Sequence, residues 1–334
     1  MTLENSTLQS WEQFSAKRKE AATALDQMIT LIKEAETLGN HQSGSLGLSQ
    51  PITDLQNAAD SLNKGVYRFM VMGDMKRGKS TLLNALIGET LLPSDVNPCT
   101  ALLTVLRYGP DKRVILHFKD DTPPETVDIE TFKQTYVIDP TESKRLEDQA
   151  TEAFPNMSHV VVEYPLPLLQ QGIELIDTPG LNDTESRNAQ VLSYLNDCQG
   201  VLFVMGATQP FTLDEQRYLN NYLAGSGLAL FFVVNGWDRI AASLVDPEDA
   251  VAVAEAKEKV RQVFNSNLSE YSAQHENSQR LFEISALRAL RQRLKGEPLE
   301  GSGLPELMES LDYFLAHERG PAELARALNV ANRS

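Results

Sequence analysis

Residues 73–80 read GDMKRGKS, which matches the phosphate-binding pattern G-x-x-x-x-G-K-[ST]. The motif follows an apolar stretch at 67–72 that predicts a buried strand, and it opens a predicted helix at 79–87. Backbone N–H groups at such a helix N-terminus bind phosphate oxygens, while the motif lysine neutralises the outer phosphates and the hydroxyl ligates Mg²⁺. We therefore expect Lys79 and Ser80 in those two roles. The residues expected around the phosphates are Gly73, Asp74, Met75, Lys76, Arg77, Gly78, Lys79, Ser80 and Thr81.

Short apolar strands alternate with helical segments on both sides of this loop. Because such strands are apolar on both faces, they indicate a mainly parallel sheet that helices cover on both sides. The expected fold class is α/β, a P-loop domain whose ligand lies at the carboxyl ends of the strands. A capping box at Thr212 and Glu215 predicts the start of one helix. Strands are predicted over 67–72, 101–108, 113–118, 160–164, 173–176, 201–205, 228–234 and 281–284, and weaker helical patterns over 129–136 and 142–154.

A second loop, DTPG at 177–180, follows the predicted strand at 173–176. A strand end downstream of a phosphate loop is where a γ-phosphate-sensing segment is expected. Asp177 is expected to hold Mg²⁺ through water, and the Gly180 N–H to meet the γ-phosphate. The sequence therefore predicts a nucleoside triphosphate as ligand.

The choice of base depends on two further loops, which follow the strands at 228–234 and 281–284. Asn235 and Asp238 in the first, and Ser285 and Ala286 in the second, resemble the base-recognising loops of GTPases. A carboxylate at Asp238 accepts two hydrogen bonds from guanine, whereas adenine offers no matching donor pair and leaves the carboxylate unsatisfied.

One position departs from that pattern. Gly236 stands where GTPases carry a lysine that packs along the base and sugar. We therefore expect modest affinity for guanine nucleotides, with Trp237 as a candidate substitute contact.

Composition excludes several other classes of protein. The chain has 334 residues, 42% of them hydrophobic and 23% charged, which fits about two ordinary globular domains. Its net charge of −16 disfavours nucleic acid as a partner. The two cysteines fit a reducing compartment, and the five scattered histidines give no zinc pattern. The polar N-terminus shows no secretory signal, so we expect a cytoplasmic protein.

Both ends of the chain show helical patterns. Apolar residues recur every three to four positions from Trp11 to Ala35, and again from Leu304 to Phe314. Because neither helix can bury such a seam alone, we expect the two to pack together in a bundle beside the α/β domain.

The phosphate loop and its continuation, LLPSDVNPCT at 91–100, resemble the GTPase domain of bacterial dynamin-like proteins. ATQPFT at 207–212 agrees, and the resemblance covers roughly residues 52–320. It implies neck helices at 1–65, a dynamin-type GTPase domain at 66–300 and a C-terminal neck helix at 301–334. It also implies that Thr100 is the switch threonine that coordinates Mg²⁺ and positions the attacking water.

The resemblance further implies a mechanochemical enzyme that hydrolyses GTP to GDP and phosphate. Homodimerisation of GTPase domains across the nucleotide would move the neck, and self-assembly would tubulate, fuse or sever membranes. No basic amphipathic helix for direct lipid binding is visible, so peripheral attachment to the inner face of a membrane would require a partner. Dynamin-like proteins also carry a long trunk and tip, for which 334 residues leave no room. We therefore expect either a part of a longer protein or a minimal member of the family.

The source of transition-state charge is a separate question. Leu181 stands just after Gly180, where Ras-like enzymes have a water-orienting glutamine, and Met75 departs from the glutamine of eukaryotic dynamins. Lys76 occupies the position at which guanylate-binding GTPases carry an internal arginine finger. Our hypothesis is that Lys76, or failing it Arg77, supplies this charge in cis when two GTPase domains meet.

Two other functions share the same motifs. A regulatory GTPase would recruit an effector through its switch loops without mechanical work, and would not need the terminal helices. A nucleotide-binding scaffold with little hydrolysis would fit Gly236 and the absent glutamine, although the complete set of Lys79, Ser80, Thr100 and Asp177 disfavours it.

Overall fold

The core of the fold is a mostly parallel β-sheet, which has nine strands within the described part of the chain. The computed structural model describes residues 17, 19–37, 48–74, 76–92, 103–136, 154, 156–170, 172–178, 194–272, 280–318 and 328. In the order β4-β3-β5-β2-β6-β1-β7-β8-β9, the run from β6 to β9 is parallel throughout. The strands are β1 (Tyr67–Met72), β2 (Thr104–Tyr108), β3 (Arg113–Phe118), β4 (Glu125–Val127), β5 (Met157–Tyr164), β6 (Ile173–Asp177), β7 (Gly200–Gly206), β8 (Ala229–Asn235) and β9 (Leu281–Ile284).

Helices cover both faces of this sheet, as the α/β prediction required. The alternation of side chains along β1 shows the two faces: Phe69 and Val71 enter one apolar cluster, and Met70 and Met72 enter the other. The helices are α1 (19–37), α2 (Ser49–Lys64), α3 (Lys79–Ile87), α4 (Ile129–Tyr136), α5 (Pro167–Gln170), α6 (Leu213–Tyr218), α7 (Arg239–Ala242), α8 (Ala250–Ser272), α9 (Ala286–Lys295) and α10 (Leu304–His317), and a π-helical turn (Leu219–Leu223) follows α6.

The predicted strands are confirmed, apart from shifts of a few residues at their ends. β4 was not predicted, because Glu125–Val127 is short and its residues are exposed or half-buried. The capping box that begins α6 is confirmed: the Glu215 N–H donates to Thr212 Oγ1, and the Thr212 N–H donates to Glu215 Oε2. The helical pattern expected over 142–154 falls almost wholly outside the described residues.

The terminal helices differ in part from the expected bundle. α1 and α2 share a small apolar cluster of their own, which includes Leu25 and Leu55. α10 instead packs on the sheet, where the Phe314 ring lies 5.4 Å from the Tyr67 ring and 5.4 Å from the Phe231 ring. The predicted pairing of residues 304–314 with the N-terminal helices is therefore wrong, because the sheet already buries that apolar face. Residues 319–327 and 329–334, which belong to the proposed C-terminal neck, lie outside the described part of the chain.

A stacked histidine pair lies across the antiparallel strands β3 and β5. The rings of His117 and His159 are parallel within 8°, with centroids 4.3 Å apart. Burial lowers the pKa of His159 to about 4, and repulsion from His117 adds to the effect. The hydroxyls of Ser158 and Tyr194 lie 3.1 and 3.4 Å from His159 Nδ1. His159 is therefore held as a neutral imidazole in the folded chain.

Candidate nucleotide-binding site

The phosphate loop joins β1 to α3 and presents its backbone at the carboxyl end of the sheet. Gly78 caps α3 in the left-handed conformation, with φ of 81°. A Cβ atom there would lie 2.4 Å from Asn235 Nδ2, so a larger residue is excluded both by strain and by space. The glycine of the G-K-S pattern is therefore required where the phosphate loop approaches the loop that follows β8.

Lys79 and Ser80 have the placement that the motif predicts. Lys79 Nζ donates to the backbone carbonyls of Gly73 (3.0 Å) and Asp74 (3.1 Å), so the ammonium group is held within the loop. Ser80 Oγ donates to Asp177 Oδ2 at 2.8 Å, and both side chains are buried. The first and second predicted loops thus meet at this hydrogen bond.

The pairing of Ser80 with Asp177 also tests whether the residues present fit a magnesium ion. A hydroxyl and a carboxylate side by side are the hard oxygen donors that Mg²⁺ prefers, one directly and one through water. The start of the second loop is fixed as well, because Thr178 Oγ1 donates to the Val71 carbonyl at 2.8 Å. The donor set therefore fits Mg²⁺.

Asn235 connects the phosphate loop to both base-recognition loops. Its Nδ2 donates to the Arg77 carbonyl at 2.8 Å, and its Oδ1 accepts from the N–H groups of Gly236 (2.8 Å) and Ala286 (3.0 Å). Its amide therefore organises the loops. Asn235 thus lies among the predicted loop residues, and the sequence gives no sign of this linking role.

Asp238 and Ser285 are brought together as predicted. The Asp238 N–H donates to Ser285 Oγ at 3.1 Å, while Asp238 itself is exposed and lines a cleft. Residues of the phosphate loop and of both base loops line that cleft together. Its lining comprises Lys76, Arg77, Gly78, Thr81, Gly206, Thr208, Asn235, Gly236, Asp238, Arg239, Ala286 and Leu287.

The two candidate cations of the phosphate loop have different surroundings. Arg77 is largely buried: its Nε lies 3.0 Å from Glu215 Oε1, and its guanidinium also donates to Gln209 at 3.1 Å. Burial raises the pKa of Glu215, and the Arg77 charge acts in the opposite direction. Lys76 is exposed and adopts a left-handed backbone with φ of 60°. Of the two, Lys76 is therefore the side chain with freedom to reach a ligand.

Sequence reasoning missed the ion pair between Arg77 and Glu215. Glu215 was identified only as a helix cap, and its side chain has no exposed surface. A glutamate in a capping box is normally exposed, so the sequence carries no signal that this one also anchors the phosphate loop.

Trp237 is not the substitute base contact that the sequence suggested. It packs in the apolar cluster with Val234 and Phe264, and its ring faces the Arg261 guanidinium at 5.7 Å. Burial of a large aromatic surface in the core explains this placement. Met75, Thr100, Gly180 and Leu181 lie outside the described residues, so their expected roles stay predictions.

The loops predicted to bind phosphate, Mg²⁺ and base therefore converge at the carboxyl ends of the parallel strands β1, β6, β8 and β9. This arrangement defines the class of P-loop nucleotide-binding proteins.

Comparisons with known proteins then identify the family. The model of the dynamin family matches residues 69–237. A bacterial dynamin-like protein of Nostoc punctiforme is 50% identical over 329 residues, which cover 97% of this chain and 48% of that protein. Dynamin-like protein 1 of Campylobacter jejuni is 27% identical over 206 residues, or 54% of this chain and 28% of that protein. The chain belongs to the dynamin family, and it spans about half the length of the Nostoc relative.

A solved structure shares the fold. It is described as an oligomerised bacterial dynamin pair that provides a mechanism for long-range sensing and tethering of membranes. It superposes with a TM-score of 0.57 at 21% identity, covering 93% of this chain and 47% of the other.

Within the residues described, no helix has both the length and the apolar character needed to cross a bilayer.

Proposed function

We propose that this chain binds guanine nucleotides with Mg²⁺ and hydrolyses GTP to GDP and phosphate. The observation that carries the proposal is the set of hydrogen bonds made by Asn235. Through them residues of the phosphate loop, Asp238 and Ala286 line one cleft, so phosphate donors and a carboxylate that matches guanine lie in the same site.

Each described side chain has a definite task in this proposal. Lys79 compensates the charge of the outer phosphates, and the backbone N–H groups that open α3 bind their oxygens. Ser80 and, through water, Asp177 would hold Mg²⁺, which neutralises charge on the β- and γ-phosphate oxygens. The Asp238 carboxylate accepts from the guanine edge, and the Ser285 hydroxyl fixes the backbone of Asp238.

The hydrolytic step requires groups from other loops as well. Thr100 would position the attacking water, and the Gly180 N–H would meet the γ-phosphate. Lys76 would place its ammonium group beside the bridge between the β- and γ-phosphates when two GTPase domains meet across their nucleotides. The involvement of Arg77 in an ion pair with Glu215 favours Lys76 over Arg77 for this role.

The wider proposal is a dynamin-like mechanochemical cycle. Dimerisation of GTPase domains would move neck helices built in part from α1 and α2, and the assembly would act on membranes as a peripheral protein. The relation to the Nostoc dynamin-like protein supports this proposal. A regulatory switch GTPase is the second candidate, because the packing of α10 on the sheet leaves the described neck with only its N-terminal helices.

The test is GTP turnover per molecule measured over a range of protein concentrations, with ATP as the control nucleotide and Lys79→Ala as the inactive variant. The proposal predicts turnover for GTP alone that rises with concentration. Slow turnover that is independent of concentration would favour the switch, and equal turnover of ATP would refute guanine specificity.

A further inference from the structure

The cleft that Asp238 and Gly236 line has no lysine at position 236, where GTPases carry the lysine that lies along the base. A different cation, Arg239, lies beside Gly236. Gly236 adopts a left-handed backbone with φ of 77°. A Cβ atom built on Gly236 would lie 3.3 Å from Arg239 Cδ, with Arg239 Cγ and Nε both at 3.8 Å. The Arg239 side chain therefore runs over the point where a side chain at position 236 would begin.

A tight turn at the start of α7 sets the position of Arg239. Arg239 is the first residue of α7, and its N–H donates to the Gly236 carbonyl at 2.9 Å. This tight turn brings residue 239 back over residue 236. Both Arg239 and Gly236 line the same cleft as Asp238 and Ala286.

The chemistry of Arg239 suits the face of a purine. Its side chain is exposed, and the ion pairs found among the described residues do not include it. Nearby arginines have other tasks, since Arg77 pairs with Glu215 and Arg261 pairs with Glu283. A planar guanidinium stacks on an aromatic face, and its methylene stem covers apolar surface as a lysine stem does.

We propose that Arg239 is the residue that binds the face of the guanine base, in place of the lysine missing at position 236. This inference rests on the proposed function, because it assigns a base contact to the same cleft. Arg239 contacts the face of the ring, whereas Asp238 contacts its edge. Loss of Arg239 therefore weakens all purine nucleotides equally, whereas loss of Asp238 removes selection among them.

The experiment measures dissociation constants of GDP, IDP and a non-hydrolysable GTP analogue by titration calorimetry. Inosine lacks the exocyclic amine, so IDP reports whether an effect involves the edge of the base. For Arg239→Ala we expect affinity to fall about 3- to 30-fold, by a similar factor for all three nucleotides, with Arg239→Lys in between. Arg217→Ala is the matched control, because Arg217 is an exposed arginine that pairs with Asp214 on α6.

A double-mutant cycle tests the geometry directly. The Cβ atom of Gly236→Ala would press on Arg239 Cδ, so this change should weaken GDP binding further than its backbone strain alone. In the Arg239→Ala background that extra loss should vanish, because the crowded atom is gone while the strain at position 236 is unchanged. Additive effects of the two substitutions would overturn the proposed packing.

The remaining outcomes separate the inference from the function on which it rests. If wild type binds GDP and Arg239→Ala binds it equally well, the assignment of Arg239 is overturned and the proposed function stands. A loss that is greater for the GTP analogue than for GDP, and that disappears in high salt, would assign Arg239 to the phosphates and overturn the base contact. If wild type binds no guanine nucleotide, the proposed function fails and the inference fails with it.

Discussion

Replacing Asn235 with alanine should uncouple the phosphate loop from the base loops. The substitution removes three hydrogen bonds, one donated to the Arg77 carbonyl and two accepted from the N–H groups of Gly236 and Ala286. Each typically contributes about 0.5–1.5 kcal/mol, and Ala286 is fully buried, so water cannot readily replace its lost acceptor. The total cost should be about 2–4 kcal/mol.

This cost should divide between stability and ligand affinity. Because the nucleotide must touch both loops at once, we expect GDP affinity to fall about 10- to 100-fold, equivalent to about 1.4–2.7 kcal/mol. The assays are urea unfolding without nucleotide and calorimetric titration with GDP. Asn267→Ala is the matched control, since the Asn267 amide donates to the Val263 carbonyl one turn back in α8.

The outcome that would refute this reasoning is clear. If Asn235→Ala has the unfolding midpoint of wild type and binds GDP with the same affinity, Asn235 does not link the loops. A loss of stability with unchanged GDP affinity would show that the link is structural only. The hydrogen bonds of Asn235 would then no longer support the proposed function.

Three further predictions concern the surrounding fold. Stability should be full above pH 6.5 and fall by about 1–2 kcal/mol as the pH drops towards 4, because burial lowers the pKa of His159 to about 4 while the unfolded chain retains about 6.5. Denaturant titrations of wild type and His159→Gln at several pH values would measure this change in the free energy of unfolding. Phe314→Ala should lower the free energy of unfolding by about 3–5 kcal/mol, and Tyr313→Ala, at a position 56% exposed, should change it little. Glu215→Gln leaves the Arg77 charge largely buried, and should cost about 2–4 kcal/mol and weaken GDP binding.

Each of these has an outcome that would contradict it. A pH dependence that persists unchanged in His159→Gln would mean that another group titrates. Equal effects of Phe314→Ala and Tyr313→Ala would argue against packing of α10 on the sheet. Full stability of Glu215→Gln would show that the partly exposed Asp74 carboxylate, 3.8 Å from Arg77, is a sufficient counter-charge.

The sheet was predictable because its strands carry an unambiguous apolar signal. β7, for example, is buried at every position, and its sequence GVLFVMG leaves no competing interpretation. The positions of the phosphate loop and of Asp238 could also be predicted from the sequence, because the chemistry expected of them requires particular residues after particular strands.

The features that were not predicted depend on tertiary packing partners, which the local sequence does not specify. α10 carries an apolar face that could pack on a helix or on a sheet, and only the aromatic partners Tyr67 and Phe231 decide the matter. Trp237 stands within a recognition motif, but its ring gains more from the core than from the cleft. The approach of Arg239 to Gly236 depends on the turn that begins α7, so a scan for lysine at position 236 overlooks it.

The most direct test of the central claim is a change of base preference at Asp238. We would measure turnover of GTP, ATP and XTP by wild type and by Asp238→Asn. Xanthine carries a carbonyl where guanine has its amine, so an asparagine amide can donate to xanthine while its oxygen accepts from the ring N–H. The account predicts that wild type hydrolyses GTP in preference to both other nucleotides, and that Asp238→Asn loses GTP turnover and gains XTP turnover. Retention of GTP preference by Asp238→Asn would contradict recognition of guanine by this carboxylate.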